Sequence, residues 1–538
     1  MFTEKPSNAE SFPSDPDIVS TEAPDGVDRR AFMMRSALVG AMGVITGCSP
    51  SPQQSASAPP PAAAPLPPAS KVSQDLDVKK QTKGPVMTTL EEFYKVGPGP
   101  SSSHTIGPMR ITYDFYQRAT KLPADQLAKV TGMKVHLFGS LSATGKGHGT
   151  ERAALAGIVG KEPATVDPAF LDSLAANPDQ TFPVKIGDKT LTMSLKDIIY
   201  DAPKGEFPHP NTMTCKLLAG DTVLLEQEYY SVGGGFIEWK GYTPPKKGQP
   251  KFPYSTMKEL QAHAESNKLS IAQVAMANEI AVGNKTEAEV NAFLDKISTA
   301  MVNIVKSGLA APPATLPGPI KLKTKAGDVY KRAMDDEYEK QRGVGVVAAY
   351  ALAGSEENAR GHLVVTAPTG GSAGVMPALV YAVGEGGRKL PQDKIRSGLL
   401  AAAAIGYLCK HNATLSGAEG GCQAEIGVAS AMGAAFIAQA HDFGHQVVAN
   451  AAESSLQHHL GMTCDPVAGF VQVPCIERCA FGAVKSWTGF MIASNEIPTN
   501  RRVDFDTTVD AMALTAREMN AKYKETSEGG LAVSLALC

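Results

Sequence analysis

The stretches SGLLAAAAIGYL (residues 397–408) and ASAMGAAFIAQ (429–439) carry small or apolar residues on every side. A helix with no polar face is packed all round, so these two read as the central helices of a large helical domain. Working outward, residues 271–280, 287–305 and 344–352 carry apolar residues at helical spacing. Residues 250–538 therefore read as mostly α-helical. The sequence before them has another texture. Lys134–Phe138 is a short strand candidate, and Thr190–Leu195 alternates with the period of a half-buried strand. Thr212–Leu218 and Thr222–Tyr230 flank Gly220-Asp221 and suggest a hairpin. Thr88-Thr89-Leu90-Glu91-Glu92 looks like a capped helix start. The expected fold is α+β: a small mixed α/β N-terminal domain over 86–245, then a large mostly α-helical domain over 250–538.

The chain has 538 residues, 43% of them apolar and 20% charged, enough for two folded domains with large cores. A net charge of −3 gives no basic field, so nucleic acid is not an expected partner. Eight cysteines in this length do not make a disulfide scaffold. Residues 1–48 read as an address. Arg29-Arg30-Ala31-Phe32 precedes the short apolar segment Ser36–Gly47 and resembles a twin-arginine export signal. Ile45-Thr46-Gly47-Cys48 resembles a lipobox that would make Cys48 a lipid anchor. Residues 49–85, rich in Pro, Ala and Ser, read as a solvated linker. The expectation is a periplasmic or membrane-anchored protein if the signal is real, and a cytoplasmic one otherwise.

Five cysteines fall between 409 and 479. Cys409 lies in an apolar helix and Cys215 in a strand pattern, so both read as core. Cys422, Cys464 and Cys475 sit beside Gly or Pro, where a core role is less natural; thiolates gathered from loops suit zinc or an iron–sulfur cluster. The absence of a C-x-x-C pair argues against a zinc ribbon. The run Thr369-Gly370-Gly371-Ser372-Ala373-Gly374 lies between a strand-like segment and an apolar one, where backbone N–H groups can meet an anion. His104, His148 and His209 lie in segments rich in Ser, Gly or Pro, and read as loop residues. A neutral imidazole suits proton removal near neutrality.

Several separated segments together resemble one family. They are GPGPSSSHTIGP (97–108), GSLSATGKGHGT (139–150), HPNTM (209–213), YSVGGG (230–235), APTGGSAG (367–374), the Cys422 and Cys464–Cys475 segments, and a final Cys538. They occur in the order found in the iron–sulfur-dependent bacterial L-serine dehydratases, and the likeness spans about residues 86–538. The resemblance implies an ammonia-lyase that converts L-serine to pyruvate and ammonium, working as a homodimer. It implies a 4Fe–4S cluster on Cys422, Cys464 and Cys475, with the fourth iron open to substrate and occupied at rest by Cys538. It also places the general base among the three histidines. His148 is favoured, with His209 as its partner. Ser101, Ser102, Ser103, His104 and Thr105 would receive the substrate carboxylate, with Thr369, Gly370, Gly371 and Ser372 as a second candidate. Cys479 departs from the family pattern and reads as a bystander or an alternative ligand. His411-Asn412 and His458-His459 read as supports for the ligands or as plain packing. Other iron–sulfur lyase substrates (L-threonine, L-cysteine, a 2-hydroxy acid), a non-catalytic amino-acid-binding lipoprotein, and a Cys464–Cys475 disulfide are the competing readings.

Overall fold

Helix Gln392–Asn412 runs along Val428–Ala440; the second is buried throughout and the first from Gly398 to Cys409. Their small residues explain the closeness of packing. A Cβ on Gly406 would lie 2.1 Å from the Phe93 ring, and one on Gly398 would lie 2.5 Å from the Phe436 ring. In this computed structural model the described residues are 84–203, 205–243 and 246–535, all within one compact unit, Lys80–Cys538. The expected signal, Cys48, nearly all of the linker, and Cys538 lie outside the described residues. Among the described residues, no helix is long and apolar enough to cross a membrane.

The α+β expectation holds. The mixed part is a five-stranded sheet in the order β5-β2-β6-β7-β8, where β2 is Gly132–Leu137, β5 Ile198–Tyr200, β6 Thr212–Ala219, β7 Thr222–Ser231 and β8 Ile237–Trp239. Strands β6 and β7 form the hairpin about Gly220-Asp221, while β2 pairs in parallel with β5. A separate hairpin joins β3 (Phe182–Ile186) to β4 (Lys189–Met193). Helices α1 (Gly107–Ala119), α2 (Gly139–His148) and α3 (Thr150–Ile158) belong to the same part, whose apolar core includes Phe115, Val135, Leu155 and Tyr229.

The helical part has its own core, and that core also takes in Val86, Leu90, Phe93 and Tyr94. These residues therefore pack with the larger helical part, although they open the segment assigned to the smaller domain. The reason is steric: Phe93 fills the slot over Gly406, edge-on to Tyr407 at 5.0 Å. The chain then crosses over as β1 (Lys95–Pro98), paired antiparallel with β9 (Leu363–Thr366). β1 runs toward residues 101–106 and β9 toward 369–374, so one short ladder feeds both loops that the sequence singled out.

Candidate active site

His104 and His148 were expected in loops. The structure puts both in helical turns. His104 lies in a wide turn, Ser102–Ile106, and His148 ends α2. Their rings are 4.6 Å apart and tilted by 36°, so His148 has His104 directly beside it. Two threonines lock the pair from the backbone side. Thr105 Oγ1 donates to the His148 carbonyl at 2.9 Å, and Thr150 Oγ1 donates to the His104 carbonyl at 2.6 Å.

The tautomer of His148 follows from its bonds. Its Nδ1 is 3.0 Å from the Thr144 carbonyl, which can only accept, so Nδ1 carries the hydrogen. Nε2 then holds a lone pair, and it is buried with no hydrogen-bond partner. Burial pushes the His148 pKa down to about 4, which keeps the ring neutral at ordinary pH. Burial, aided by the charge of His148, pushes His104 well below its usual range as well. His104 Nδ1 and Nε2 both meet hydroxyls, Ser103 at 2.9 Å and Ser140 at 3.0 Å. His209 Nδ1 accepts from the Asn211 N–H, which leaves its hydrogen on Nε2 when neutral. It feels the charge of Glu419, in the turn that leads to Cys422.

Some hydroxyls proposed for substrate are already engaged. Ser101 Oγ accepts from the His104 N–H, while Thr105 Oγ1 accepts from the Ser101 N–H as well as serving His148. They hold the turn in shape. Ser102 faces the Gly-rich loop: a Cβ on Gly370 would lie 2.7 Å from the Ser102 nitrogen. Asn358, which the sequence reading missed, ties the two together, since its Nδ2 donates to the carbonyls of both Pro100 (2.8 Å) and Gly370 (2.9 Å). A Gly370→Ala substitution must push the loops apart, because backbone rather than a flexible side chain stands in the way. We expect substrate affinity weakened about tenfold or more with metal content unchanged, measured by steady-state kinetics and metal analysis.

The thiols gather on the other side of the Gly-rich loop. Sulfurs of Cys422 and Cys464 and a carboxylate oxygen of Glu425 lie within 4.8 Å of one another. Cys475 begins helix Cys475–Asn495 just outside that group, and its pKa is driven well up by burial and by the charge of Cys422. Hydrogen bonding to Cys422 and burial raise Cys464 likewise. Burial lifts Glu425 to about 7, and burial with the charge of Glu425 lifts Glu525 well above the carboxylate range. Arg478 donates to Cys422 Sγ at 3.4 Å and to Asp465 at 3.0 Å. Such a crowd of buried acidic groups around one guanidinium is what a bound cation would relieve, and the soft thiols suit iron. The residues thus fit a thiolate-bound metal centre. Glu425 and Arg478 also escaped the sequence reading. Each follows a cysteine by three positions, as a neighbour on the same helical face would.

Cys479 does share the helix of Cys475, but its Sγ is 3.3 Å from the Gly371 carbonyl, so it braces the loop. His459 Nδ1 donates to Ser455, and its Cβ packs over Gly427, just past Cys422. Asn412 donates to the Ser255 carbonyl.

Residues 89–242 match the family described as serine dehydratase beta chain, and residues 266–532 match serine dehydratase alpha chain. The chain is 38% identical over 458 residues to L-serine dehydratase of Haemophilus influenzae, covering 84% of this chain and 99% of that protein. The chain belongs to the serine dehydratase family. L-serine dehydratase 2 of Escherichia coli is 38% identical over 463 residues, covering 84% and 100% of the two chains. L-serine dehydratase of Streptomyces coelicolor is 36% identical over 455 residues, covering 83% and 99%. In this serine dehydratase the alpha-type region supplies the thiols and the Gly-rich loop, and the beta-type region supplies the histidines.

Proposed function

We propose that this protein is an L-serine dehydratase that deaminates L-serine to pyruvate and ammonium, with an iron–sulfur cluster at Cys422, Cys464 and Cys475. The observation that carries the reading is the Gly-rich loop, whose Gly371 lies against Glu425 of the thiol group and whose Gly370 lies against Ser102, in the turn of His104; beside His104 lies His148, with an uncommitted Nε2 lone pair. When bound, a 4Fe–4S cluster with an open iron would supply Lewis acidity for the departing β-hydroxyl.

The chain's own residues supply the rest. His148 Nε2 takes the Cα proton, and Thr144 holds the ring in the tautomer that allows it. His104, flanked by hydroxyls, lies against the imidazolium side of that transfer. Backbone N–H groups of Ser102–Ser103 and Gly370–Gly371 receive the carboxylate, held in place by Asn358. Burial excludes water until the aminoacrylate leaves to tautomerise and hydrolyse.

Cys538 as resting occupant of the open iron is supported by the residues before it. The Cys464 N–H donates to Tyr523, the Glu525 N–H donates to the Cys464 carbonyl, and the Leu531 N–H donates to Asp465, so the C-terminal segment is stitched to the thiol loop. Arg29-Arg30 and Ile45–Cys48 support an exported form anchored at Cys48, and the family likeness supports a homodimer.

The test is oxygen-free purification with iron and sulfide counted, and keto-acid release measured from L-serine, L-threonine and L-cysteine. We expect bound iron and sulfide, with L-serine turned over best. Keto-acid release by iron-free protein would overturn the reading.

A further inference from the structure

Arg478 lies in the first turn of helix Cys475–Asn495, and its guanidinium is held by three partners. Nη1 donates to the Thr463 carbonyl at 2.6 Å and to Cys422 Sγ at 3.4 Å, and Nη2 donates to Asp465 at 3.0 Å. Thr463 and Asp465 flank Cys464, and Cys475 opens the helix that carries the arginine. One side chain is thus tied to each of the three segments that carry the thiols. Its carboxylate partner is fixed in turn. Asp465 has a side chain only 4% exposed, and it also accepts from the Thr463 hydroxyl and the Leu531 N–H. A planar fork can serve a carbonyl, a carboxylate and a sulfur at once, which a single ammonium does poorly.

We infer that Arg478 is a positioning residue acting through Cys422: its N–H, aimed at the Cys422 sulfur, draws electron density from that thiolate and raises the reduction potential of the iron–sulfur cluster held there. The inference rests on the proposed cluster at Cys422, Cys464 and Cys475, and adds to it a residue that binds no iron. A hydrogen bond to a ligand sulfur favours the state in which the cluster carries more negative charge, and so favours its reduction. The same bond leaves the irons poorer in electrons, which suits one that must draw on a hydroxyl oxygen.

The test is a redox titration of oxygen-free holoenzyme. Dithionite supplies one electron per cluster, and the reduced form is read by electron paramagnetic resonance. Arg478→Met removes the donor, and Arg478→Met with Asp465→Asn removes it without leaving a buried carboxylate unpaired. We expect the reduction equilibrium constant to fall at least about tenfold in both, which is about 59 mV for a one-electron couple. The potential belongs to each cluster that is bound, so partial loading does not mask the shift. An unchanged potential in either variant overturns the inference; a fall in the single variant alone would trace the effect to an unbalanced Asp465. A measurement on the wild-type chain stands even if both variants fail to fold. With heavy-nitrogen arginine incorporated, pulsed resonance should show an arginine nitrogen coupled to the reduced cluster, and no coupling overturns the inference too. Wild-type protein that binds neither iron nor sulfide would instead defeat the cluster reading, and this inference with it.

Discussion

Cys422→Ser protein prepared without oxygen emerges colourless, with iron reduced to background and pyruvate release lost by about three orders of magnitude or more. The expectation follows from where Cys422 sits. Its sulfur shares a 4.8 Å neighbourhood with Cys464 and Glu425, takes the Arg478 N–H at 3.4 Å, and raises the pKa values of Cys464 and Cys475. A serine hydroxyl is a hard, poorly ionised donor and cannot replace a thiolate toward iron. Removing one acid from the crowd also eases repulsion among those that remain, so the apoprotein should melt no lower than unloaded wild type. Loss of iron at unchanged or raised apoprotein Tm therefore separates a ligand from a mere packing residue. Full iron content with normal turnover would remove Cys422 from the centre.

His148→Ala is the second large effect. Iron content and absorption stay intact while kcat falls by about 10²–10⁴, the range a positioned general base contributes. The pH profile adds a test specific to this histidine. Its pKa is depressed to about 4, below the ordinary value near 6.5, so the basic form is present at neutrality and is lost only as pH falls through the lower figure. For wild type, kcat/KM should stay flat on the acid side down to about pH 5. An acid limb centred at the ordinary histidine value would instead take proton removal away from His148.

How far the sequence disclosed this arrangement varied with the kind of contact. The central helices were legible because residues 397–408 and 429–439 have no polar face, and the β6–β7 hairpin because Gly220-Asp221 interrupts two strand patterns. Cys422 and Cys464 were legible as unusual thiols beside Gly and Pro, and the structure brings them together. Contacts made between distant segments were hidden. Nothing local marks Asn358 as the clasp between Pro100 and Gly370, for it lies in the last turn of an ordinary helix, Arg342–Arg360. The His104–His148 pairing was hidden for a like reason: Gly and Ser around those residues suggested loops, whereas the tertiary fold wound both into helical turns.

The tight fit of the inner helices bears on how such a protein can change over generations. At Gly398 and Gly406 even one added methyl group must evict a phenylalanine ring. Solvent-facing positions have no such constraint and can drift in size and charge. A lineage can thus retune the rim of this enzyme far more readily than the helical frame at its centre.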